Sequence, residues 1–384
     1  MGSTVQTAME DDTSAAPSSV DGLPVSRRNL MSGTARLAAT AVVAPAMGAL
    51  PAFAADVGGT GPSLDGALTV PPRVIPVPGS ISPEGQRFLA KGGLMIKAAG
   101  NAPPASDIDA WRKRIVMANK FAQPVIDKLL ANPAKVERRT IGGANVCVGT
   151  PDVMRHPDRA RVTIHGGAFT LLGGAFVMGD ACQSAAEAGC VAFSIDYRMP
   201  PDFPYPAAVD DCIAAYREII KSYAPKKIVI SGPSAGGNLA AAVTLKLRDL
   251  GLPMPGAVGM MSPVTDLTNM SDTLNTNLGV DTALARDPVA ELQLYANGHD
   301  TKDPYLSPIF GDFAKGFPPS FLQSGTRDLL LSDTVRLHRA LLRAGIEAEL
   351  HIWEAMPHGG FGYGTPEALE VRVQFLKFMD KHLG

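Results

Sequence analysis

Three side chains that lie far apart in the sequence, Ser234, Asp328 and His358, have the types needed for nucleophilic acyl transfer. A serine hydroxyl is a poor nucleophile until a base takes its proton, and an acid must hold that base in the right tautomer. The residues occur in the order serine, acid, histidine, which is the order used on open α/β sheets. The pattern predicts Ser234 as nucleophile, His358 as base and Asp328 as the acid that orients the base.

The surroundings of Ser234 match those of a nucleophile turn. The residue lies in the pattern G-P-S-A-G, which follows the apolar run 228–231. Glycines two positions before and after the serine make room for a tight turn from a strand into a helix, which lifts the hydroxyl above the sheet. The helix that follows would aim its N-terminus at the serine.

Backbone amides near the serine are needed to bind the oxyanion of the tetrahedral intermediate. We expect one from Ala235, the residue after the nucleophile, and the others from Gly166 and Gly167, which follow the predicted strand 162–164. Glycine lets an amide approach a ligand without interference from a Cβ atom. This chemistry requires no metal and no organic cofactor.

The sequence leaves rivals for the base and for the acid. His351 is the alternative base, but it falls within a predicted strand rather than on a loop. Asp333 and Glu354 compete with Asp328, although Asp333 opens a predicted helix and is suited to charging its N-terminus. Asp328 and His358 are favoured because each follows the carboxyl end of a predicted strand, where catalytic groups gather.

The elements that must position these residues alternate between short apolar runs and helical stretches after Arg139, which is typical of a mostly parallel sheet flanked by helices. The predicted strands are 162–164, 191–195, 228–231, 257–261, 320–323 and 349–353, and the predicted helices are 207–222, 235–250, 332–344 and 366–381. We therefore expect an α/β catalytic domain over 140–384. The stretch 266–303 fits neither periodicity, and we expect it to form an inserted cap.

The N-terminal part of the chain is predicted to be an export signal followed by an extended arm. Within 1–55, Arg27 and Arg28 precede the apolar run 37–50 and a small-residue cleavage site, the order of a twin-arginine signal peptide. The apolar run is shorter than the roughly 20 residues of a spanning helix, so we expect periplasmic export without a permanent membrane anchor. Residues 56–139 are predicted to form an arm with cap helices over 84–98 and 108–130.

Composition excludes several classes of partner. The formal net charge of -2 produces no field that would gather nucleic acid. The four cysteines have no close pairing of the kind that binds metals or forms a disulfide framework. The expected partner is a small-molecule ester. A homodimer is compatible with the sequence, which does not set the oligomeric state.

The ordered motifs resemble those of the hormone-sensitive-lipase-type (family IV) bacterial carboxylesterases of the α/β-hydrolase superfamily. The resemblance extends from about residue 141 to the C-terminus and rests on a His-Gly-Gly loop at His165, the G-x-S-A-G-G turn, the tyrosine- and proline-rich segment 196–208 and the acid segment 317–328. It implies an α/β-hydrolase fold, carboxylesterase activity and a bracing role for His165. A sulfonylurea-herbicide de-esterifying esterase would have the same layout.

The sequence departs from the family pattern at two positions, and the second departure leaves the acyl and alcohol specificity open. Pro233 stands where the family usually has an acid, and Ala168 stands where it often has a third glycine. Lactonase or amidase activity would use the same three residues. A ligand receptor on the same fold is the alternative from another class, and it is disfavoured because such receptors tend to lose the histidine.

Overall fold

Eight strands form one sheet in the part of the chain that the computed structural model describes, residues 67–68, 70–98, 102–284 and 288–384. The strands are β1 (Ala134–Ile141), β2 (Ala144–Pro151), β3 (Ala160–Ile164), β4 (Val191–Asp196), β5 (Ile228–Pro233), β6 (Ala257–Met261), β7 (Ser320–Gly325) and β8 (Ala348–Trp353). Their order is β1-β2-β4-β3-β5-β6-β7-β8. β2 is antiparallel to both neighbours, and β3 to β8 pair in parallel. The expected mostly parallel sheet is confirmed.

The degree to which a strand is buried explains whether it could be predicted from the sequence. In β5, Ile228, Val229 and Ile230 are all fully buried, because helices cover both faces of the sheet. Such strands are apolar on both faces and appear as continuous hydrophobic runs. β1 instead carries charged, mostly exposed residues along the edge of the sheet, as edge strands commonly do. The boundary predicted at 139/140 therefore falls inside β1, and the sheet begins at Ala134.

Helices pack on both faces of this sheet. They are α1 (Pro83–Ala98), α2 (Ile108–Leu130), α3 (Ala175–Ala188), α4 (Ala207–Ile219), α5 (Ala235–Asp249), α6 (Thr273–Thr276), α7 (Val289–Ala296), α8 (Leu331–Arg343) and α9 (Pro366–Leu383). Phe375 and Phe378 of α9 pack with Val229 on one face, whereas Leu239 of α5 packs with Ile230 on the other. α6 and α7 lie in the stretch 266–303, where the sequence predicted an inserted cap.

The strand order positions the two loops on which the chemistry depends. β4 lies on one side of β3 and β5 on the other, so the chain reverses its direction of winding beside β3. A crevice forms outside the carboxyl ends of the strands at such a reversal. Thr163 near the end of β3 pairs with Ser231 of β5, which brings the loop after β3 beside the turn that contains Ser234.

The chain divides into two units after Pro71, and residues Pro72–Gly384 form one compact unit. The twin-arginine pair, the apolar run and the cleavage site lie outside the described residues and stay predictions. Within the described residues, no helix combines the length and apolar character needed to cross a bilayer.

Candidate active site

Ser234 occupies the sharp turn between β5 and α5. Its φ of 57° and ψ of -121° are unusual for a residue with a side chain, and such strain is common at nucleophiles. The turn is held because the Ser234 amide donates to the Met261 carbonyl at 2.8 Å and the Ser234 carbonyl accepts from the Asn238 amide at 3.1 Å. The hydroxyl is thereby fixed at the carboxyl edge of the sheet.

Two glycines allow β3 and the turn to approach each other closely. A Cβ atom on Gly236 would lie 1.9 Å from the Ile164 carbonyl oxygen, and one on Gly232 would lie 2.4 Å from the same atom. No real Cβ atom tolerates such distances, so only glycine fits at these positions. The G-x-S-x-G spacing therefore reflects a backbone contact that the turn requires.

His358 joins Ser234 to Asp328. Its Nε2 lies 2.9 Å from the Ser234 Oγ, and its Nδ1 lies 3.1 Å from the Asp328 Oδ1. Both distances are within the range for proton transfer or orientation by hydrogen bonding. With the Nδ1 proton donated to the carboxylate, Nε2 is free to accept the serine proton. The structure thus brings the three predicted residues into one hydrogen-bonded line.

The Asp328 carboxylate is completely buried and held ready to pair with an imidazolium. Its Oδ2 accepts from the Ser324 Oγ at 2.6 Å and its Oδ1 from the Leu330 amide at 2.9 Å. Burial by itself raises the pKa of Asp328, but the adjacent His358 and the serine hydroxyls, Ser324 among them, outweigh burial and hold the pKa below its usual value. Burial likewise lowers the pKa of His358, whereas the Asp328 charge and hydrogen bond raise it to a net value above normal.

The predicted oxyanion residues lie beside the serine. A Cβ atom on Gly166 would be 2.9 Å from the Pro233 carbonyl oxygen and 3.4 Å from the Ser234 Cβ, so this loop touches the turn. Gly167 has φ +104°, which favours glycine. Ala235 is the first residue of α5, and its amide has no acceptor within the helix.

His165 stabilises the loop that contains Gly166 and Gly167. The imidazole is buried and stacks on Tyr197 with ring centroids 4.1 Å apart. Its Nδ1 bonds to the Gly166 carbonyl at 2.8 Å, and the Tyr197 hydroxyl donates to the His165 carbonyl at 3.1 Å. These contacts fit the bracing role that the resemblance implies.

Comparison with known proteins agrees with this geometry. A family described as having the alpha/beta hydrolase fold matches residues 161–361, more than half of the chain. An acetyl-hydrolase of Streptomyces hygroscopicus is 33% identical over 255 residues, 64% of this chain and 77% of that protein. The crystal structure of esterase E25 is 33% identical with a TM-score of 0.75, covering 83% of this chain and 99% of that one. An esterase from the bacterial hormone-sensitive lipase family is 27% identical with a TM-score of 0.68, covering 79% and 99%.

The chain belongs to the α/β-hydrolase family as a carboxylesterase of the hormone-sensitive-lipase type. It is thus a carboxylic ester hydrolase, as the motifs predicted. The esterase spans 77% of the acetyl-hydrolase and 99% of both solved structures, so the likeness extends over most of each protein.

The rival residues are engaged elsewhere in the esterase. His351 lies within β8, stacks on Phe321 at 4.6 Å and bonds through Nε2 to a Glu349 carboxylate oxygen at 3.3 Å. Glu354 is exposed. Asp333 is buried at the start of α8, where its Oδ2 accepts from the Thr265 amide at 2.6 Å. It ties the loop after β6 to α8.

Asp333 should give the esterase a measurable pH dependence of stability. Burial raises its pKa from 3.8 to about 6, so the folded state binds this proton more tightly than the unfolded state. The free energy of unfolding therefore falls as pH rises between these values and levels off above them. Asp333→Asn should remove on the order of 2 kcal/mol of that decline between pH 4 and pH 7, measured by urea unfolding.

The matched control for this measurement is Asp109→Asn, because the Asp109 side chain is 83% exposed. It should leave the decline as in wild type. An Asp333→Asn protein that keeps the full wild-type decline would contradict the assignment to Asp333.

Asp281 is the site residue that the sequence did not reveal. It lies in the stretch between α6 and α7, is fully buried, and accepts hydrogen bonds from the backbone of the loops that carry Asp328 and His358. The stretch has no helical or strand periodicity that would indicate where its side chains point. A carboxylate that binds only backbone amides also imposes no residue type on its partners, so it leaves no paired signal in the sequence.

A cavity of about 250 Å³ opens at Ser234 and His358 and continues between α3 and α9. Its charged wall residues are Arg161, Asp180, Glu187 and Arg372. These charges are already compensated, since Glu187 pairs with Arg372 at 3.0 Å and with Arg161 at 3.7 Å. With two arginines and two acids among these residues, the cavity wall carries no strong net charge.

Proposed function

We propose that this esterase hydrolyses small to medium carboxylic esters through an acyl-enzyme on Ser234. The observation that carries the proposal is the line from the Ser234 Oγ to the His358 Nε2, 2.9 Å, and from the His358 Nδ1 to the Asp328 Oδ1, 3.1 Å. An activated serine of this kind is the nucleophile of acyl-transfer hydrolases. The alternative of a non-catalytic receptor leaves this alignment without a use.

In the first half of the reaction, the Ser234 Oγ attacks the ester carbonyl while the His358 Nε2 takes the hydroxyl proton. The amides of Gly166, Gly167 and Ala235 then stabilise the carbonyl oxygen as it gains charge. When the carbon–oxygen bond to the alcohol breaks, the His358 Nε2 returns the proton to the leaving oxygen. The product is an ester between the acyl group and the serine.

In the second half, water attacks the acyl-enzyme, again with His358 as base. The bond between the acyl carbon and the Ser234 Oγ breaks, and the serine regains its proton from the imidazolium. A carboxylic acid leaves and the resting enzyme is restored. Asp328 stays ionised and stabilises the imidazolium in both halves.

The cavity volume supports a short acyl or alcohol group. About 250 Å³ lies below the roughly 300–1,000 Å³ typical of sites for drug-sized ligands. We expect kcat/KM for p-nitrophenyl acetate and butyrate to exceed that for the dodecanoate by at least about tenfold, equivalent to about 1.4 kcal/mol. Initial rates with the three esters below their critical micelle concentrations measure this.

A variant at the cavity wall tests whether cavity size sets the preference for acyl-chain length. Ala368 lines the cavity from α9, so Ala368→Leu should depress the rate with butyrate more than the rate with acetate. Leu369→Ala, at the exposed neighbouring residue, should leave the ratio unchanged. Equal rates for acetate and dodecanoate in the wild type would contradict the size limit.

Covalent labelling tests the acyl-enzyme itself. Diethyl p-nitrophenyl phosphate should inactivate the esterase with release of one equivalent of p-nitrophenol, as the serine oxygen bonds to phosphorus. Peptide mass spectrometry should then find one diethylphosphoryl group on Ser234. Asp333→Asn should label as wild type does, and Ser234→Ala should not label. A stoichiometric adduct on another residue would refute the proposal.

A further inference from the structure

The buried carboxylate of Asp281 connects three segments of the chain. Its Oδ2 accepts from the Leu329 amide at 2.8 Å and from the His358 amide at 3.2 Å. Its Oδ1 accepts from the Ala283 and Leu284 amides at 2.8 and 3.0 Å. Leu329 follows the catalytic acid directly, and His358 is the catalytic base. One side chain therefore holds both catalytic loops by their backbones.

This arrangement sets the separation of acid and base. The loops after β7 and β8 come from neighbouring parallel strands, but strand pairing ends at Gly325 and Trp353. Beyond that point, Asp281 bonds to the amide of Leu329, the residue after Asp328, and to the amide of His358 itself. A displacement of about 1 Å at such a site can cost on the order of 100-fold in rate.

We propose that Asp281 is a positioning residue for ester hydrolysis, which fixes the loops of Asp328 and His358 and adds a second negative charge beside the imidazolium. The inference rests on the proposed function, because it concerns the same base and the same reaction. Asp281 is fully buried and is not among the residues that line the cavity at Ser234, so it acts through His358 and Leu329.

The electrostatics of the site agree with this role. The titratable groups that influence the His358 imidazole are Asp328 on the acid loop and Asp281 on the inserted stretch, and both charges raise the pKa of His358. Burial raises the pKa of Asp281, and Asp328 raises it further, while His358 and the amide donors lower it. Removing the Asp281 charge should therefore make His358 easier to deprotonate.

Asp281→Asn is the variant that tests the proposal. The amide has almost the same shape, but it lacks the charge and turns an NH₂ group toward backbone donors. We expect kcat for p-nitrophenyl acetate to fall by about 10- to 100-fold, with KM changed by less than about twofold. The acid limb of kcat/KM against pH reports the free-enzyme base, so we expect it to move to lower pH.

Asp333→Asn is the matched control, because it removes another buried carboxylate that accepts backbone amides. It should leave kcat within about threefold of wild type and the acid limb unmoved. Circular dichroism and urea midpoints show whether each variant is folded. A folded Asp281→Asn protein with wild-type kcat and an unmoved acid limb would overturn the proposal.

If Asp281→Asn does not fold, Asp281→Glu decides the matter. The longer side chain keeps the charge but displaces the carboxylate from the two loops, so kcat should fall while the acid limb stays near its wild-type pH. Wild-type kcat in Asp281→Glu would overturn the positioning role. Labelling distinguishes failure of this proposal from failure of the proposed function. Modification of Ser234 in the wild-type protein tests the nucleophile independently of any effect of Asp281.

Discussion

Ser234→Ala is expected to lower kcat for p-nitrophenyl acetate by about 10⁵-fold or more, the scale seen when a catalytic serine is removed from other hydrolases. The variant retains His358, Asp328 and the backbone amides, but no oxygen remains at the position 2.9 Å from the imidazole. Any residual turnover would come from water activated by the base and from oxyanion binding. Substrate affinity should change little, because the hydroxyl contributes mainly to the transition state.

The measurement is steady-state turnover of purified wild-type and variant protein, with thermal unfolding as the check on folding. Ser222→Ala is the matched control, since Ser222 is an exposed serine in the turn after α4. It should keep the wild-type rate. Retention of wild-type turnover in Ser234→Ala would remove the assignment of the nucleophile and with it the proposed acyl-enzyme.

Asp328→Asn should lower kcat by about 10⁴-fold, the loss found for the corresponding change in a serine protease. The reason is the tautomer of His358. Asparagine has one oxygen and one NH₂ group in place of the two carboxylate oxygens. The Ser324 hydroxyl donates at the Oδ2 position, and an amide oxygen held there turns the NH₂ group toward Nδ1, whereas the Leu330 amide donates at the Oδ1 position and favours the opposite orientation. When the NH₂ group faces Nδ1, the proton shifts to Nε2, which can no longer accept the serine proton.

The comparison with Asp333→Asn makes this prediction discriminating. Asp328 and Asp333 lie on the same segment and are both buried, but of these two carboxylates only Asp328 bonds to the His358 imidazole. Kinetics at several pH values for both variants measure the difference. We expect Asp333→Asn to stay within about threefold of wild type, and a larger loss there than in Asp328→Asn would reverse the assignment of the acid.

Asp281 gives the stretch 266–303 a direct contact with the loop of the proposed base. A covering segment that only shaped the entrance would influence KM and chain-length preference. Through Asp281 this stretch also reaches the backbone of the base, at 3.2 Å from the His358 amide. Changes in the stretch should therefore alter kcat and its pH dependence as well as substrate choice.

Local patterns alone identified the nucleophile turn and the buried strands. The glycines around Ser234 are required by a contact with Ile164, so their spacing is visible in the sequence. Strands buried on both faces are apolar at every position, which marks them equally well. By contrast, α3 was not predicted. Buried residues are spread around it, from Val177 to Ala188, so it lacks an amphipathic period, and the charged edge strand β1 lacks an apolar run.

The sequence by itself therefore determined the fold class, the family and the chemical types of the three reactive side chains, because these depend on local periodicity and spacing. Only the tertiary structure decided which carboxylates serve the histidine. Loop position favoured Asp328 over Asp333 but could not show that either carboxylate reaches the imidazole, and Asp281 lies in a stretch without periodicity. Their roles follow from distances between segments that are remote in sequence, such as the 2.8 Å from Asp281 to the Leu329 amide, and no local pattern encodes such a distance.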